Sequence, residues 1–359
     1  MSPSTIARIP GSPALTSRAL VIATAAPGST RLIDPLVSED TLACARAVRA
    51  MGFPVHAAPG LWTVEGTGPG DGRRLWCEDS GAVARFLPAP AATGGIRGGD
   101  GVPAGHPGGR HLTGLLLAAP LRPEGLRVRV PRPADRPDVD LTVALMRHFG
   151  VDVTEPEPQV LVVRPGGYRA TELRIEPDAT AAAYVFAAAA LTATTVTVEG
   201  LGAGSSQGDL MFVEVLARMG AEVTIGAAGT TVAGPGRLRG GFTVDMGDLS
   251  DVFMTLACLV PFADAPVRIG GLAHVPDRVA ATAANLRACG IAVDCDPDGL
   301  TVSPGTPRAT LVSCRGDHRT AMAFSVLGLR VPIYLDDLTC VRRTFPGFHA
   351  ELARLFGQA

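Results

Sequence analysis

The strongly basic side chains of this 359-residue chain are all of one chemical type. Each of the 32 lysine or arginine positions holds an arginine, so the chain has no ε-amino group. Schiff-base chemistry and proton transfer by lysine are therefore excluded, and a guanidinium group is a poor acid–base substitute because it stays protonated. Arginine is well suited to binding carboxylate and phosphate groups. Proton transfer near neutral pH would fall to histidine, and His111, His274 and His318 are the candidates.

Two short motifs place an arginine next to or near an aspartate in the sequence. Asp277 precedes Arg278, and Asp317, His318 and Arg319 follow one another directly. Both motifs also have an ordinary structural interpretation. Asp277 and Arg278 could be a simple charge pair at a helix start, and Asp317 could cap a helix. A lone histidine such as His318 is more often structural than catalytic.

Three further charged residues lie at the starts of helix-like segments. Asp178 and Asp251 hold equivalent places in two sequence repeats, so helix capping is the default role of each. Asp251 could combine capping with ligand binding. Arg18 opens another such segment, a position where a surface arginine is common. The spacing of these residues does not decide between the structural and functional interpretations.

The elements that must position these residues repeat along the chain. Four helix-like segments end in an apolar residue and a glycine and then run into strand-like sequence, at Gly52, Gly150, Gly220 and Gly290. Each is preceded, about 30 residues earlier, by a helix-like segment of small residues. Successive copies start about 63–73 residues apart, but the copy at Ala82 starts only about half that distance before the next. The pattern predicts six copies of one unit, with the second cut short.

The copy that begins at Asp178 shows the unit most clearly. A helix of small residues precedes a strand of alternating β-branched residues at 194–199, then an amphipathic helix and a hairpin. The predicted unit is therefore helix, strand, helix, strand, strand. The same order is predicted for residues 18–66, 112–164 and 251–303.

Both chain ends are predicted to lie in one globule. The last copy, from Asp317, ends after its second helix at 344–356, so a strand around Ile6–Ile9 is expected to complete it. A length of 359 residues suits two domains, each large enough to bury a sizeable core.

Composition excludes several classes of protein. An apolar fraction of 47% with 18% charged residues is typical of a globular protein, and a net charge of −2 predicts neither nucleic acid nor an anionic membrane as partner. The longest apolar run, 181–193, is too short to span a bilayer, and the N-terminus lacks a signal-peptide pattern. Seven cysteines without ligand-like spacing indicate reduced thiols in the cytoplasm and no metal site.

Seven motifs in order resemble the 5-enolpyruvylshikimate-3-phosphate (EPSP) synthase family, the enolpyruvyl transferases of the shikimate pathway. They include Glu-Pro-Asp-Ala-Thr-Ala-Ala-Ala-Tyr at 176–184, Leu-Ser-Asp-Val-Phe-Met-Thr-Leu-Ala at 249–257 and Asp-His-Arg-Thr-Ala-Met-Ala at 317–323. The others lie at 10–20, 80–87, 277–280 and 342–346. The resemblance covers nearly the whole chain.

The resemblance implies an α/β fold of two globules, the enolpyruvyl transferase fold. Each globule would consist of repeated βαβαββ units around parallel buried helices, an inside-out α/β barrel, and here the second unit would be truncated. The helix N-termini would point into a cleft that binds anionic ligands. By analogy the N-terminal globule spans residues 12–174, and the C-terminal globule spans 175–359 together with 1–11.

The resemblance also implies roles for residues that this chain retains. In the family, the arginine matching Arg18 holds the shikimate carboxylate. The aspartate matching Asp251 contacts the ring hydroxyls and is a candidate base. The arginines matching Arg278 and Arg319 clamp the pyruvate carboxylate, and Arg343 replaces a family lysine.

Other family residues are missing. The catalytic lysine and the serine after it are replaced by Pro13 and Ala14, and the phosphate-binding Ser-Ser-Gln falls on Gly108, Gly109 and Arg110. A further phosphate-binding serine falls on Asp135. The family's Lys-Glu pair, whose glutamate is a proton-transfer candidate, falls near 274–275, and the arginine of the family's second unit is deleted.

These losses are concentrated in the phosphate pocket. Glycine provides no side-chain donor, and a carboxylate at Asp135 would repel a phosphate by about 4 kcal/mol at 4 Å for an effective dielectric of 20. Arg110 and Arg136 could offset that repulsion. A Ser-Ser-Gln at 205–207 lies in a different loop of a different unit and is interpreted as coincidence.

The sequence therefore favours an enzyme that removes water from unphosphorylated shikimate or a similar cyclohexene carboxylate, in a specialised, antibiotic-type pathway. Asp251, His274 and His318 are the predicted catalytic residues. The predicted substrate-binding residues are Arg18, Arg110, Arg136, Asp277, Arg278, Arg319 and Arg343. No metal or organic cofactor is expected. A carboxyvinyl transferase with a rebuilt site, or a non-catalytic binding protein, are the alternatives.

Overall fold

The computed structural model describes residues 4–67, 109–130 and 136–357. The predicted copy starting at Ala82, together with Gly108 and Asp135, lies outside these residues. The chain divides into two compact units. We call Gly11–Glu176 the N-terminal unit, and Pro177–Ala359 with Met1–Pro10 the C-terminal unit.

The N-terminal unit contains two described sheets and four described helices. The helices are α1 (Pro13–Ala25), α2 (Glu39–Ala50), α3 (Gly109–Ala118) and α4 (Arg136–His148). The strands are β2 (Gly28–Ile33), β3 (Val55–Ala58), β4 (Leu61–Gly66), β5 (Leu126–Arg129), β6 (Val153–Glu157), β7 (Val160–Val163) and β8 (Glu172–Arg174). One sheet has the order β3-β4-β2-β8 and the other has the order β5-β7-β6.

The C-terminal unit contains three described sheets. Its helices are α5 (Ala179–Thr192), α6 (Phe212–Arg218), α7 (Phe253–Leu259), α8 (Pro276–Ala288), α9 (His318–Leu327) and α10 (Phe348–Phe356). Its strands are β1 (Thr5–Ile6), β9 (Thr195–Glu199), β10 (Glu222–Ile225), β11 (Gly229–Ala233), β12 (Phe242–Asp245), β13 (Val267–Gly270), β14 (Val293–Asp296), β15 (Gly299–Val302), β16 (Thr310–Val312) and β17 (Ile333–Leu335). The sheets have the orders β1-β9-β11-β10, β12-β13-β15-β14 and β16-β17.

The predicted order of helix, strand, helix, strand, strand is confirmed in the described residues of the copies at 18–66, 112–164 and 251–303 and of the copy that begins at Asp178. The glycines that end the second helix of each copy adopt positive φ angles, of 92° at Gly52, 84° at Gly150, 102° at Gly220 and 83° at Gly290. A left-handed residue after a helix lets its last carbonyl groups find partners, and glycine adopts that conformation without a Cβ clash.

The N-terminal strand does not complete the last copy, so that prediction is wrong. β1 pairs in parallel with β9, in the sheet of the copy that begins at Asp178. In the last copy, β17 pairs in parallel with β16, a strand that precedes Asp317. The prediction that both chain ends lie in one globule is confirmed, because Arg354 of α10 donates a hydrogen bond of 2.8 Å to the Ile6 carbonyl oxygen.

Three helices form the interior of the C-terminal unit. α5, α7 and α9 each contact the other two. Twelve of the 14 residues of α5 are buried, and eight of those twelve are alanine. A helix that is apolar on every face must be covered on every face, and small side chains let its neighbours approach closely. Strands of the surrounding sheets alternate buried and more exposed residues, as in β9.

This arrangement confirms the α/β fold class, with helices inside and sheets outside. The sheets of the described residues remain separate and none closes into a barrel. Within those residues no helix is both long and apolar enough to cross a membrane.

Close packing of the hairpins against the inner helices can be tested at Gly234. A Cβ at this position would lie 2.2 Å from the Ala189 carbonyl oxygen and 2.8 Å from the Ala193 Cα. Both atoms belong to backbone that cannot easily move, so Gly234→Ala should destabilise the protein by about 1–3 kcal/mol in urea denaturation. Gly204→Ala is the matched control, because its Cβ would meet no atom within 4 Å. Equal stability of the two variants would contradict the packing.

Candidate functional site

A carboxylate held between two arginines lies at the N-terminal ends of the inner helices of the C-terminal unit. The Asp251 carboxylate accepts a hydrogen bond of 2.8 Å from Arg278 Nη1 through Oδ1 and one of 2.6 Å from Arg319 Nη2 through Oδ2. Asp317 Oδ2 lies 3.8 Å from Arg278 Nε. We call Asp251, Arg278, Asp317, His318 and Arg319 the Asp251 cluster. The structure thus brings together four of the predicted site residues.

Three helix starts place the members of this cluster. Arg278 lies in the first turn of α8, and Arg319 is the second residue of α9. Asp251 precedes α7, but the N-cap of that helix is Val252 and no side chain caps it. The default role of Asp251 as a helix cap is therefore wrong. Its two carboxylate oxygens are taken by arginines instead.

The surroundings of Asp251 determine its charge. Burial alone would raise the pKa of its carboxyl group, but the Arg319 and Arg278 guanidinium groups outweigh burial and lower this pKa to about 2. The carboxylate is therefore ionised at neutral pH and holds both arginines in place. In this state it is a weak base, and it could become a stronger one only by losing its arginine partners.

His318 is held in its neutral form. Burial and the neighbouring Arg319 charge lower the pKa of His318 to about 3. Arg319 Nη1 lies 3.1 Å from His318 Nε2, which accepts the hydrogen bond in the tautomer that carries its proton on Nδ1. The imidazole therefore has no proton to donate from Nε2. Asp317 caps α9 through the Arg319 backbone N–H at 2.9 Å, which confirms the predicted capping role.

The sequence interpretation missed the chemistry of Asp178. Its predicted capping role is confirmed, because its Oδ2 accepts the Ala181 N–H at 3.2 Å. Burial, and then the charge of Asp209, raise the pKa of Asp178 to about 7. Asp209 itself accepts a hydrogen bond from the Thr180 hydroxyl. A carboxyl group that titrates near neutral pH can hold a proton that Asp251 cannot. About 30 residues separate Asp178 from Asp209 in the sequence, so local motifs do not show that the two carboxyl groups lie close together.

Gln207 has a structural role in the same region. Its Oε1 accepts the Ala179 N–H at 3.1 Å and its Nε2 donates to the Pro177 carbonyl oxygen at 2.8 Å. These bonds fix the start of α5. The Ser-Ser-Gln at 205–207 therefore contributes to helix capping through its glutamine.

Two buried polar atoms near the Asp251 cluster have no hydrogen-bond partner among the described residues. They are the Tyr184 hydroxyl and Arg319 Nε. Tyr184 is fully buried, and the charges that act on its hydroxyl belong to Arg319, Asp251, Asp317 and Asp178. Buried polar groups normally have partners, so these two atoms mark a polar position beside the cluster that a ligand or water oxygen could fill.

The N-terminal unit holds a second arginine–carboxylate pair. Arg18 Nη2 donates to Asp138 Oδ1 at 2.7 Å, Nε donates to the Thr142 hydroxyl at 3.0 Å, and Nη1 donates to the Ala14 carbonyl oxygen at 3.2 Å. We call Arg18, Asp138 and Thr142 the Arg18 site. Burial lowers the pKa of Arg18 and Asp138 opposes that effect. Arg18 is therefore an interior residue, not the exposed arginine that its position at a helix start suggested.

The other predicted site residues are placed less specifically. His274, Asp277 and Arg343 are exposed, and no described ion pair involves any of the three. Arg136 binds Asp140 at 2.7 Å and Glu155 at 2.7 Å, so its charge is already balanced. The side chains of Arg110 and His111 lie outside what the structure describes.

A cavity of about 330 Å³ lies at the other end of the inner helices of the C-terminal unit. Its lining includes Ala190 and Leu191 at the end of α5, Phe262 after α7, and Arg330 after α9. None of the predicted site residues lines it. The Asp251 cluster and this cavity therefore lie at opposite ends of the inner helices.

The sequence matches a known enzyme family over nearly its whole length. Residues 4–102 and 108–352 match the family described as EPSP synthase (3-phosphoshikimate 1-carboxyvinyltransferase). The chain belongs to the EPSP synthase family. The family resemblance predicted from the motifs is thereby confirmed, and the family is one of enzymes.

Relatives and solved structures agree with this assignment. The 3-phosphoshikimate 1-carboxyvinyltransferase of Methanosphaerula palustris is 34% identical over 406 residues, covering 96% of this chain and 95% of that protein. That of Trichormus variabilis is 33% identical, covering 98% and 96%. The fold matches EPSP synthase from Acinetobacter baumannii with a TM-score of 0.82 at 22% identity, over 99% of this chain and 96% of the other.

A further structural neighbour is the enolpyruvyl transferase NikO from Streptomyces tendae. It matches with a TM-score of 0.77 at 20% identity, covering 99% of this chain and 95% of that one. The alignment with the Methanosphaerula relative is 406 residues long and exceeds the 359 residues of this chain, so this chain lacks residues that the relative has.

The pKa of Asp178 predicts how stability changes with pH. Its folded-state pKa of about 7 lies above the ordinary value of 3.8, so the stabilising contribution of the protonated form is lost as pH rises from about 4 to about 7. Asp178→Asn removes this titration but keeps an oxygen acceptor. The free energy of unfolding is measured by urea denaturation for the variant and for the native chain. The value for the variant minus the value for the native chain should be about 2–3 kcal/mol larger at pH 8 than at pH 5.

The matched control is Asp264→Asn. Asp264 is an exposed aspartate of the same unit that accepts the Gly240 N–H at 2.8 Å. Its effect on stability should differ little between the two pH values. A pH-independent effect of Asp178→Asn would mean that Asp178 does not titrate near neutral pH.

Removing the Asp251 carboxylate should create an anion site. In Asp251→Asn the two guanidinium groups, 33% and 21% exposed, lose their shared counter-charge. We expect a loss of about 1–3 kcal/mol of stability, less than for a fully buried pair because solvent screens the charges. Added sulfate should then raise the melting temperature of the variant more than that of the native chain, at constant ionic strength.

Asp296→Asn is the control for this experiment, since it removes a carboxylate that lies 2.7 Å from Arg268 at a more open position. Its response to sulfate should equal that of the native chain. If sulfate stabilised Asp251→Asn no more than this control, Asp251 would not be acting as a resident counter-ion.

Proposed function

We propose that this member of the EPSP synthase family acts on unphosphorylated shikimate or a similar cyclohexene carboxylate and removes water from it. The comparisons place the chain in a family of enolpyruvyl transferases, and the step from carboxyvinyl transfer to dehydration is our own inference. This inference depends on the balance of charge around the predicted binding residues.

The observation that carries the proposal is that Arg18, Arg278 and Arg319 are each paired with a carboxylate of the chain itself. Arg136 is paired as well. A phosphate monoester brings about two negative charges, and binding it would require surplus positive charge or several free donors. The residues described at these sites provide no such surplus, and the sequence contains no lysine. A substrate with a single carboxylate fits this balance better.

Carboxylate exchange at the Asp251 cluster suggests a mechanism. When the substrate carboxylate binds Arg278 and Arg319, it replaces Asp251 as their partner. The pKa of Asp251 then rises from about 2, because the two guanidinium groups no longer stabilise its ionised form. Substrate binding would in this way convert a resident counter-ion into a usable base.

The elimination itself balances without a redox partner. Asp251 takes a proton from a ring carbon, the electrons of that C–H bond form a new ring double bond, and the C–O bond to a hydroxyl group breaks. The departing oxygen takes a proton from an acid and leaves as water. Asp178 is the described group that holds a proton up to about pH 7, which makes it our choice for that acid. His318 is disfavoured as the acid because its imidazole is neutral and bonded to Arg319. His274 is exposed and remains a predicted alternative.

Mass spectrometry tests the proposal directly. Incubation of the purified protein with shikimate should give a product lighter than shikimate by one water, about 18 Da. Arg278→Gln should lower the rate about 100-fold or more, because the carboxylate loses one of its two anchors. Arg268→Gln, which breaks an ion pair elsewhere in the same unit, is the control and should retain the rate. An unchanged shikimate mass over the pH range 5–9 would overturn the proposal.

Carboxyvinyl transfer is the second candidate, favoured by the names of the relatives at 33–34% identity. Arg343 is exposed and could contact a phosphate, as could Arg110. Release of inorganic phosphate from phosphoenolpyruvate, dependent on shikimate 3-phosphate or a similar acceptor, would establish this reaction. If calorimetry detected no binding of shikimate, its 3-phosphate or phosphoenolpyruvate, a non-catalytic role would be indicated.

A further inference from the structure

The cavity at the C-terminal ends of the inner helices carries two positive charges. We call this cavity of about 330 Å³ the Arg330 cavity. Arg237, in the segment between β11 and β12, and Arg330, which follows α9, both line it. All of its lining residues belong to the C-terminal unit, and none of them is an aspartate or a glutamate. The charged side chains of the cavity are therefore both guanidinium groups.

Arg237 differs from the arginines of the Asp251 cluster because no carboxylate balances its charge. Its side chain is exposed and forms no ion pair or hydrogen bond with the described residues. Arg278 and Arg319, in contrast, share Asp251. An anion that binds Arg237 therefore does not have to displace a resident carboxylate.

Arg330 is held in position but keeps free donors. Its Nη1 donates to the Leu191 carbonyl oxygen at 3.1 Å, and its guanidinium carbon lies 5.6 Å from the centre of the Phe262 ring. Its Nε and Nη2 form no hydrogen bond with the described residues. These two nitrogens can donate to a ligand oxygen at a position that the other two contacts already fix.

The ends of α5, α7 and α9 act against an anion here, because the last carbonyl groups of a helix carry partial negative charge. This charge is about half an elementary charge per helix end, so three ends carry about 1.5 charges together. The two guanidinium groups carry two full charges. The small positive surplus matches a ligand with one negative charge better than one with two.

The rest of the lining is apolar and its backbone is tied together. Leu191, Leu238 and Phe262 contribute side chains to the lining. The segment of Leu238 forms a parallel bridge with Ala263, and the Gly305 N–H donates to the Pro261 carbonyl oxygen at 3.0 Å. A volume of about 330 Å³ lies at the lower end of the range for ligand pockets, about 300–1,000 Å³. The space therefore suits one ring with one short acidic substituent.

We propose that the Arg330 cavity is a second binding site of this protein, which takes a small aromatic monocarboxylate. The carboxylate binds Arg237 and Arg330, whose planar guanidinium groups match its two oxygens. The ring packs against Phe262 and Leu238. The site shares no residue with the Asp251 cluster, at the opposite end of the inner helices, so it does not depend on the proposed function.

Calorimetric titration of the full chain with three probes tests the proposal. 3-Phenylpropanoate carries both the ring and the carboxylate, 3-phenylpropanol keeps the ring without the charge, and propanoate keeps the charge without the ring. The native chain should bind 3-phenylpropanoate saturably and about tenfold more tightly than either partial probe, because each of those lacks one class of contact. The absence of saturable 3-phenylpropanoate binding, or binding no tighter than that of a partial probe, would overturn the proposal.

Arg237→Gln and Arg330→Gln locate the bound carboxylate. Each should weaken the binding of 3-phenylpropanoate about tenfold, because a charge-assisted contact is lost, and should leave the binding of 3-phenylpropanol unchanged. Arg308→Gln is the matched control, because Arg308 is an exposed arginine of the same unit outside the cavity lining. If either cavity variant bound 3-phenylpropanoate as tightly as Arg308→Gln does, the proposed contact with both arginines would be wrong.

Arg278→Gln tests whether the probe binds at the Asp251 cluster instead. This variant should bind 3-phenylpropanoate as tightly as the native chain, because Arg278 does not line the Arg330 cavity. Binding lost in Arg278→Gln and kept in Arg237→Gln would assign the probe to the Asp251 cluster and overturn the proposal.

Protein folding is controlled by far-ultraviolet circular dichroism of each variant. Arg330→Gln loses the hydrogen bond to the Leu191 carbonyl oxygen and is the variant at risk of instability. Arg237 is exposed and forms no such bond among the described residues, so Arg237→Gln decides the test if Arg330→Gln is unfolded.

Discussion

The balance of charge between Asp251 and its two arginines is the constraint on which the chemistry of the C-terminal unit depends. Arg278 and Arg319 begin two different helices, and without a shared counter-ion their charges would repel each other across a partly buried space. Asp251 removes that repulsion and loses its basicity in doing so. The same contact therefore stabilises the resting protein, and in the proposed reaction it would keep the carboxylate from acting as a base until another anion competes for the arginines.

Repetition of one folding unit explains why the charged residues meet. Each copy begins with a helix whose start carries polar residues, and α5, α7 and α9 pack side by side in the interior. Their N-terminal ends consequently bring Asp178, Asp251 and Asp317 within electrostatic range of Arg319. Copies of one local motif then diverge in function: Asp178 and Asp317 cap their helices, while Asp251 binds arginines.

Local features of the fold could be predicted from the sequence, and long-range features could not. Helices that end in glycine, and hairpins, can be recognised from the spacing of apolar residues within a short segment. The order of helices and strands could therefore be predicted from the sequence. The partners of Asp251 lie 27 and 68 positions away, and Asp138 lies 120 positions from Arg18. No periodicity connects such residues. The prediction that the first strand completes the last copy failed for the same reason, because the sheet edges of equivalent copies look alike in sequence and the true partner is β9.

Because β1 pairs with β9, the two units can complete their folding at different times during synthesis on the ribosome. Residues 11–176 form a continuous stretch and can fold as soon as they emerge. The other unit needs Thr5 and Ile6, which precede that stretch, and α10, which follows it. Its first strand must therefore wait, without its sheet partner, until about 190 further residues have been translated. The polar and charged residues at positions 4 and 8 that flank this short strand limit what else it can pair with in the meantime.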